Sequence, residues 1–401
     1  MTSNKEWITR GEKVFIATYN RFPATMVRGE GAWLWDADGR RYLDFLSGIA
    51  VCSLGHCHPA VTAAIRTQAG ELVHVSNLFY TKPQVELAEL LTTHSFADRV
   101  FMANSGAEAN EAAIKLARIH AAPERYEIIS LTGSFHGRTL ATVAATGQPK
   151  FHQGFEPLPA GFIHAEFGDA ASLEKLISDK TCAIMCEPLQ GESGVRPLDD
   201  DYLRAIRALC DKYGLLLIFD EVQTGMGRTG TLFAYEQLPV TPDILTMAKA
   251  LGNGLPIGAM LTTEKIAASL TVGTHASTFG GNPVAAAAAV AVLHEMLSEG
   301  FLPKVRETSR YFMGRLREVA ERFPDLANGV RGRGMLIGLV LTDKGIELGM
   351  KIVNDLFTRQ VLINFAGGRV LRFIPPLTVS RGEIDHLIEK LVEVMESYSS
   401  E

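Results

Sequence analysis

The sequence has little that would suit a membrane or a nucleic-acid surface. Its longest wholly apolar run, 284–293, is ten residues, and a membrane-spanning helix needs about twice that length. Its first residues lack the apolar core of a secretion signal. Because 39 Lys and Arg residues stand against 45 Asp and Glu residues, the net charge is −6 and no basic field favours nucleic acid. We predict a cytoplasmic protein without a nucleic-acid or membrane partner.

The sequence is also poor in cysteine and in metal or nucleotide motifs. Five cysteines are an odd number in a long chain, which disfavours a disulfide framework. No CxxC pair completes a ligand set around 56–58, so no metal site is predicted. The patterns GxxxxGK[ST], HExxH and GxSxG are absent. The segment 225–230 satisfies GxGxxG, but it neither follows a strand directly nor opens a helix, so we do not predict a dinucleotide site.

Strand-like and helix-like segments do alternate from about residue 82 onward. Apolar strands are predicted at 99–102, 127–131, 183–186, 215–219 and 259–262, with helical stretches such as 108–118 and 202–213 between most of them. Strands that are apolar on both faces and separated by helices are typical of a mostly parallel sheet. The sequence therefore predicts an α/β fold.

Both ends of the chain follow a different pattern. Short strands are predicted at 26–28, 32–35 and 41–45, with a hairpin turn at Asp38-Gly39, and again at 335–341, 361–364 and 370–374. Ser380 and Glu383 have the spacing of a capping box and predict the start of a last helix. We predict a small α+β domain made of 1–75 and 298–401, beside a large α/β domain over 76–297.

Two residues, one at a predicted strand end and one before a glycine-rich loop, could carry chemistry. Asp220 ends an apolar strand, where open α/β sheets bind ligands, although a lone aspartate there is more often a turn or helix cap. Lys249 lies between apolar neighbours and a glycine-rich loop. A desolvated lysine becomes an amine nucleophile that can form a Schiff base, although most lysines extend from a surface helix.

Two further segments add a phosphate site and an aromatic ring. Ser105, Gly106 and Ala107 join a strand to a helix, so they can bind phosphate through free backbone N–H groups or serve only as an ordinary helix cap. Phe135 can stack on a planar cofactor, and Arg138 can bind a carboxylate through two hydrogen bonds. A nucleophilic lysine, a strand-end acid, a phosphate site and a stacking ring are the parts that pyridoxal phosphate needs.

Ordered motifs along nearly the whole chain then carry a resemblance. The sequence resembles the class III (subgroup II) aminotransferases of fold type I, which implies a pyridoxal 5′-phosphate enzyme and a homodimer with shared active sites. The matching segments are 54–59, 104–110, 135–139, 187–192, 219–230, 248–252, 277–283 and 371–373.

The resemblance implies a role for each cofactor residue. Lys249 would bind the cofactor covalently and move the proton, Asp220 would pair with the ring nitrogen, and Gln223 would reach the phenolic oxygen. Phosphate contacts would come from the helix start at 105–107 and from Thr278 of a second subunit. Ala107 stands where the family usually has threonine, so that side-chain contact is lost. The complete cofactor set is Ser105, Gly106, Ala107, Phe135, Asp220, Glu221, Val222, Gln223, Lys249 and Thr278.

The resemblance also implies how substrates are held. Arg138 would bind the carboxylate far from the reacting carbon, beside Ser277, and Arg372 would bind the carboxylate next to it. Glu192 would pair with Arg372 when the donor has no such carboxylate. Ser193 stands where the family often has glycine, which would narrow the pocket.

The implied reaction moves the terminal amine of N2-acetyl-L-ornithine to 2-oxoglutarate, as in arginine biosynthesis. Three alternatives stay open. A related aminotransferase would act on ornithine, succinylornithine, 4-aminobutyrate or N-succinyl-diaminopimelate. A non-catalytic module would keep the fold without the reaction, and an aminomutase-type isomerase would consume no keto acid.

Overall fold

A computed structural model describes residues 2–121 and 123–399 of the chain. Its helices are α1 (Asn4–Glu12), α2 (Ser47–Ala50), α3 (Pro59–Glu71), α4 (Lys82–Thr93), α5 (Gly106–Ala121), α6 (Leu140–Ala145), α7 (Ala170–Leu176), α8 (Asp200–Tyr213), α9 (Glu264–Ala267), α10 (Pro283–Leu297), α11 (Phe301–Arg322), α12 (Asp343–Thr358) and α13 (Arg381–Ser399). Its strands are β1 (Met26–Glu30), β2 (Trp33–Asp36), β3 (Arg41–Asp44), β4 (Arg99–Ala103), β5 (Glu127–Leu131), β6 (Phe162–Ala165), β7 (Thr181–Cys186), β8 (Leu189–Gln190), β9 (Arg196–Pro197), β10 (Leu216–Asp220), β11 (Ile244–Met247), β12 (Gly258–Thr262), β13 (Ala327–Arg333), β14 (Leu336–Leu341), β15 (Val361–Leu362), β16 (Asn364–Ala366) and β17 (Val370–Phe373).

The largest sheet has seven strands in the order β4-β12-β11-β10-β7-β5-β6. All pairs from β11 to β6 are parallel, whereas β12 is antiparallel to both β11 and β4. Two antiparallel steps restore the direction, so β4 points the same way as the parallel strands. The predicted mostly parallel α/β sheet is confirmed. Six of the seven strands end at one edge, where ligands of open α/β sheets bind.

The two faces of this sheet belong to separate hydrophobic cores. Leu217 and Phe219 of β10 pack into the larger core, while Ile218 between them packs into a smaller core beneath α5. Because successive side chains of a strand point to opposite faces, burial on both sides requires a continuous apolar run. The buried alanines of α5, which include Ala112 and Ala113, have small side chains that let this helix lie close to the strands.

Local sequence signals set the boundaries of the elements beside the site. Gly214 ends α8 with φ +63°, and the next N–H, of Leu215, donates to Cys210 O at 2.9 Å before β10 begins. Glycine adopts this left-handed conformation without a side-chain clash. At the start of α13, Ser380 N donates to Glu383 Oε2 at 2.8 Å, which confirms the predicted capping box.

The two ends of the chain meet in a small sheet of order β1-β2-β3-β15. The hairpin predicted at Asp38-Gly39 is confirmed by the antiparallel pairing of β2 with β3. β15, from the far end of the chain, pairs in parallel with β3. A third sheet has the order β13-β14-β17-β16, and β8 pairs with β9 in a two-stranded ladder. The division into two domains stays a proposal, and the β3–β15 pairing supports it.

No single helix within residues 2–121 and 123–399 is long and apolar enough to cross a membrane. Taken together, α10 and α11 reach the required length and composition, but they are bent by 72° at the break between them.

Candidate active site

A cavity of about 360 Å³ opens at the edge where the parallel strands end. Its wall is built from the residues that follow β4, β5, β7, β10 and β11, so a single sheet edge supplies groups from five strands. Among the predicted site residues, the cavity is lined by Ser105, Gly106, Ala107, Phe135, Glu192, Asp220, Val222, Gln223 and Lys249.

Lys249 lies just after β11, in a short 3₁₀ turn over Lys249–Leu251. Its φ of +45° is left-handed, a conformation that costs a non-glycine residue about 1–3 kcal/mol and is concentrated at functional sites. The amine has no hydrogen bond or ion pair to any other described residue. Burial lowers the pKa of Lys249, opposed by the negative charge of Glu192 and assisted by the positive charge of Arg372. Burial therefore makes the amine easier to deprotonate, and so more nucleophilic, than a lysine in water.

Asp220 is the last residue of β10 and is 4% exposed. Its Oδ2 accepts hydrogen bonds from Asn110 Nδ2 and from His136 Nδ1, each at 2.8 Å, and Val222 N donates to Oδ1 at 3.0 Å. Thr246 Oγ1 donates to Asn110 Oδ1 at 2.6 Å and fixes that amide in turn. Both oxygens of the Asp220 side chain are therefore engaged in hydrogen bonds that fix its position.

Sequence reasoning did not assign a role to Asn110. This residue lies one turn into α5, within a matching motif, and its side chain becomes important only once α5 packs beneath β10 and β11. His136 follows Phe135 in the chain, but its contact with Asp220 depends on β5 and β10 lying in one sheet, with β7 between them. Neither residue has a local sequence signal that predicts these partners.

The start of α5 lies where an anion site is predicted. α5 begins at Gly106, and Ser105 Oγ accepts a hydrogen bond from Glu108 N at 3.2 Å, so Ser105 also caps the helix. A β-carbon at Gly106 would lie 2.7 Å from a methyl group of Val222, so this position needs glycine. Free N–H groups in the first turn of a helix suit a phosphate.

Arg372 and Glu192 form an ion pair beside the cavity. Arg372 Nη1 donates to Glu192 Oε1 at 2.7 Å and to Gly191 O at 2.9 Å, and Nε donates to Asn364 Oδ1 at 3.1 Å. Burial alone would raise the pKa of Glu192, but the positive charges of Arg372 and Lys249 outweigh it and lower the pKa. Asn364 is a contact that sequence reasoning missed.

The side-chain amide of Gln223 makes a hydrogen bond through its nitrogen but not through its oxygen. Its Nε2 donates to Glu192 Oε1 at 3.3 Å, whereas Oε1 is buried without a partner among the described residues. A β-carbon at Gly191 would lie only 1.7 Å from that oxygen, so glycine leaves the space the amide occupies. An unpaired buried polar atom facing a cavity is suited to a bound polar group.

The remaining predicted residues lie away from this cavity. Arg138 is exposed, with its guanidinium 4.1 Å from the ring centroid of Phe151 and 5.5 Å from that of Phe135. Ser277 and exposed Thr278 line a separate groove, where Asn104 Nδ2 donates to Ser277 Oγ at 3.1 Å. Glu221 lies behind the cavity and accepts from Ala234 N and Tyr235 N.

The donor set fits a planar, phosphorylated aldehyde. One cavity is lined by a lysine, a buried carboxylate, a helix start, an aromatic ring and a glutamine with an unpaired amide oxygen. These groups match the carbonyl, ring nitrogen, phosphate, ring face and phenolic oxygen of pyridoxal phosphate. Within the described ranges, no group of three or more His, Cys, Asp or Glu side chains could hold a metal ion.

Comparisons with known proteins cover nearly the full chain. The family model for aminotransferase class-III matches residues 15–395. The chain is 50% identical over 389 residues to the acetylornithine aminotransferase of Myxococcus xanthus, covering 96% of each protein. It is 48% identical over 399 residues to the acetylornithine aminotransferase of Methanocaldococcus jannaschii, covering 98% of each.

Solved structures are similar over the same length. The ornithine aminotransferase of Toxoplasma gondii has a TM-score of 0.94 at 32% identity, with 99% of this chain and 96% of that chain covered. The N-acetylornithine aminotransferase of Stenotrophomonas maltophilia has a TM-score of 0.84 at 38% identity, with 98% and 99% covered.

Proposed function

The chain belongs to the class-III aminotransferases, and we propose that it transfers the terminal amine of N2-acetyl-L-ornithine to 2-oxoglutarate. The products would be N-acetyl-L-glutamate 5-semialdehyde and L-glutamate. Membership of the family confirms the predicted fold type I architecture, the transaminase activity and the pyridoxal phosphate cofactor. The substrate choice is supported by relatives of 46–50% identity that are named acetylornithine aminotransferases.

The observation that carries the proposal is the Arg372–Glu192 ion pair beside Lys249. When bound, pyridoxal phosphate supplies a carbonyl carbon for the incoming amine and a ring that withdraws electrons from the reacting carbon. In this proposal Lys249 Nζ binds the cofactor and then carries the proton at the reacting carbon. Asp220 would keep the ring nitrogen protonated, because hydrogen bonds from Asn110 and His136 hold its carboxylate in place.

The ion pair explains how one cavity accepts two kinds of substrate. A terminal amine donor has no carboxylate beside its reacting carbon, so Glu192 stays on Arg372. A 2-oxo acid brings such a carboxylate, which replaces Glu192 at the guanidinium. Because a buried arginine left without a partner is costly, each substrate leaves Arg372 paired. Arg138 and Ser277 are proposed to hold the far end of the substrate.

We expect Glu192→Gln to weaken the preference for terminal amine donors. With its charge partner gone, Arg372 would attract the carboxylate of an α-amino acid. The ratio of kcat/KM for N-acetylornithine to that for L-glutamate should fall at least about tenfold. Steady-state kinetics with both donors measure this ratio. Glu174→Gln, which removes an exposed partner of Lys212, is the control and should leave the ratio unchanged. An unchanged ratio in Glu192→Gln would contradict the switch.

The substrate is tested by separating the two halves of the reaction. The purified protein loaded with pyridoxal phosphate is mixed with N-acetylornithine alone, and its visible absorption is followed. Loss of the band, restored by 2-oxoglutarate, supports the proposal if plain ornithine acts far more slowly. A band that responds faster to another ω-amine indicates a related aminotransferase. A band that responds to no donor indicates a binding module, and turnover without keto acid indicates an isomerase.

A homodimer with shared active sites is also part of the proposal. Thr278 lines a groove of about 980 Å³ rather than the cavity of its own Lys249. Large apolar side chains surround this groove, and Leu78 and Tyr80 are 86% and 94% exposed. Apolar surface of this kind marks protein–protein contacts. A second copy covering it would bury these side chains and bring its Thr278 to the phosphate.

Hybrid dimers test this arrangement. Thr278→Ala should weaken binding of pyridoxal phosphate about tenfold through one lost hydrogen bond to a charged group, and Lys249→Ala should remove covalent binding. When the two variants are mixed and exchange subunits, a hybrid contains one site with both native residues. We expect tight covalent binding to return in the mixture, measured by titration of the visible band. If mixing restores nothing, Thr278 does not act across a dimer.

A further inference from the structure

A third carboxyl group lines the cavity and has no role in the mechanism above. Glu187 directly follows β7, at the same sheet edge as Asp220, and is 6% exposed. Its Oε2 accepts a hydrogen bond from Phe135 N at 3.0 Å. No cation among the described residues lies within ion-pair distance of it. Glu187 therefore fixes the main chain of the residue whose ring faces the cofactor site.

The three carboxyl groups of the cavity differ in how their charge is balanced. Asp220 has the His136 and Asn110 donors, and Glu192 has the Arg372 guanidinium. Glu187 has only one backbone N–H. A buried carboxylate with so few donors is strongly disfavoured, and a neighbouring negative charge disfavours it further. Of the three groups, Glu187 is the one suited to hold a proton.

The groups around Glu187 also favour its protonated form. Burial and then the negative charge of Asp220 raise the pKa of Glu187 well above its ordinary value. The hydrogen bond from Phe135 N–H lowers this pKa, the negative charge of Glu192 raises it, and the positive charge of Lys249 lowers it. The adjacent thiol of Cys186 is buried, and its pKa is also raised, so it contributes no charge.

We propose that Glu187 is a positioning residue that acts as a neutral carboxylic acid, holding Phe135 in place without adding a second negative charge beside Asp220. The inference rests on the proposed function, since it assigns Phe135 to the cofactor face. Oε2 accepts from Phe135 N, which leaves Oε1 to carry the proton and to act as a donor. An ionised group here would weaken the electron withdrawal that Asp220 supports.

The proton is tested in the protein without cofactor. Glu187→Gln keeps the shape and the acceptor but cannot ionise. A carboxyl group whose folded pKa is raised stabilises the fold fully below its unfolded pKa of 4.5 and loses that contribution as pH rises through the folded pKa. From about pH 5 to about pH 9, the Tm of the wild type should therefore fall by at least about 2 °C more than that of Glu187→Gln. The buried Glu221, whose pKa is raised to about 8, is present in both proteins and cancels.

Infrared difference spectra give a second measurement that needs no unfolding. At neutral pH the wild type minus Glu187→Gln spectrum should contain the carbonyl stretch of a protonated carboxylic acid. Its absence, together with parallel Tm curves, would show that Glu187 is ionised and would overturn the proposal. Both measurements use the protein without cofactor, so they report on Glu187 even if the proposed function fails.

The positioning of Phe135 is tested by removing the acceptor. Glu187→Leu leaves Phe135 N without a partner, and the Kd for pyridoxal phosphate should rise about tenfold relative to Glu187→Gln. The alkaline decline of kcat should move to higher pH in Glu187→Gln, because no negative charge develops beside Asp220. Equal Kd values for the Gln and Leu variants, or an unmoved pH profile, would contradict the positioning role.

Discussion

Replacing Lys249 with alanine is expected to lower kcat for transamination by at least about a thousandfold. The substitution removes both the amine that binds the cofactor and the group that moves the proton, and a positioned acid–base group alone contributes about 10²–10⁴. The side chain has no hydrogen bond to any other described residue, and its backbone conformation is already left-handed. The Lys249→Ala variant should therefore still fold.

Lys249→Arg separates charge from nucleophilicity. A guanidinium carries a positive charge beside Glu192 but does not attack a carbonyl, so this variant should lose activity to the same extent as alanine. The measurements are kcat with N-acetylornithine and 2-oxoglutarate, and mass spectrometry of the protein after borohydride reduction with the cofactor. Retention of more than about a tenth of the wild-type kcat in either variant would contradict the assignment of Lys249 as the catalytic amine.

Asp220→Asn is expected to lower kcat about a hundredfold to a thousandfold while the protein still binds pyridoxal phosphate. The amide has the shape of the carboxylate but cannot supply the negative charge that keeps the ring nitrogen protonated. The hydrogen bonds of His136 and Asn110 would then be made to a neutral amide. The Kd for pyridoxal phosphate should therefore rise by a smaller factor than kcat falls. Stopped-flow measurement of the half-reaction with N-acetylornithine isolates the affected step.

The matched control for Asp220 is Asp243→Asn. Asp243 is also an aspartate next to a strand of the large sheet, and it accepts from Arg207 Nη1 at 2.8 Å and from Leu217 N at 2.7 Å. It precedes β11, at the opposite edge of the sheet from the cavity. Its substitution should lower the Tm but leave kcat per folded site near that of the wild type. If both variants lose activity equally, the effect of Asp220→Asn is structural.

The strands of the large sheet could be predicted wherever the apolar run was long. The predicted strands 127–131 and 259–262 match β5 and β12 within one residue. β11 was not predicted, because it is only four residues long and the segment before Lys249 was interpreted as a lysine pocket. The antiparallel direction of β12 could not be predicted either, since an apolar pattern does not specify strand direction.

The site could be predicted from strand ends and motifs, but its hydrogen-bond partners could not. Asp220 was identified at the end of an apolar run, and Lys249 between apolar neighbours and a glycine-rich loop, both within matching motifs. Asn110 and Asn364 act through contacts with residues 110 and 8 positions away, respectively. Such contacts arise from packing of whole elements, which no local pattern encodes. The roles of the individual site residues stay predictions, and the variants above test them.

The glycine-rich segment at 225–230 shows how a motif can mislead. It forms turns rather than the start of a helix, with Gly227 at φ +79° and Gly230 at φ +100°. Its Arg228 is fully buried and donates to Met335 O, Pro375 O and Ser53 Oγ. Its glycines provide left-handed turns, and its arginine connects three distant parts of the chain.

The pairing of β3 with β15 affects how the protein is made. Leu43 pairs with Val361, so β3 can pair with β15 only after nearly the whole chain has been synthesised. On the ribosome, more than three hundred residues are added between the two, at about 5–20 residues per second. The edge of β3 is open to other partners for all of that time. A chaperone that covers strand edges on nascent chains should therefore raise the yield of folded enzyme.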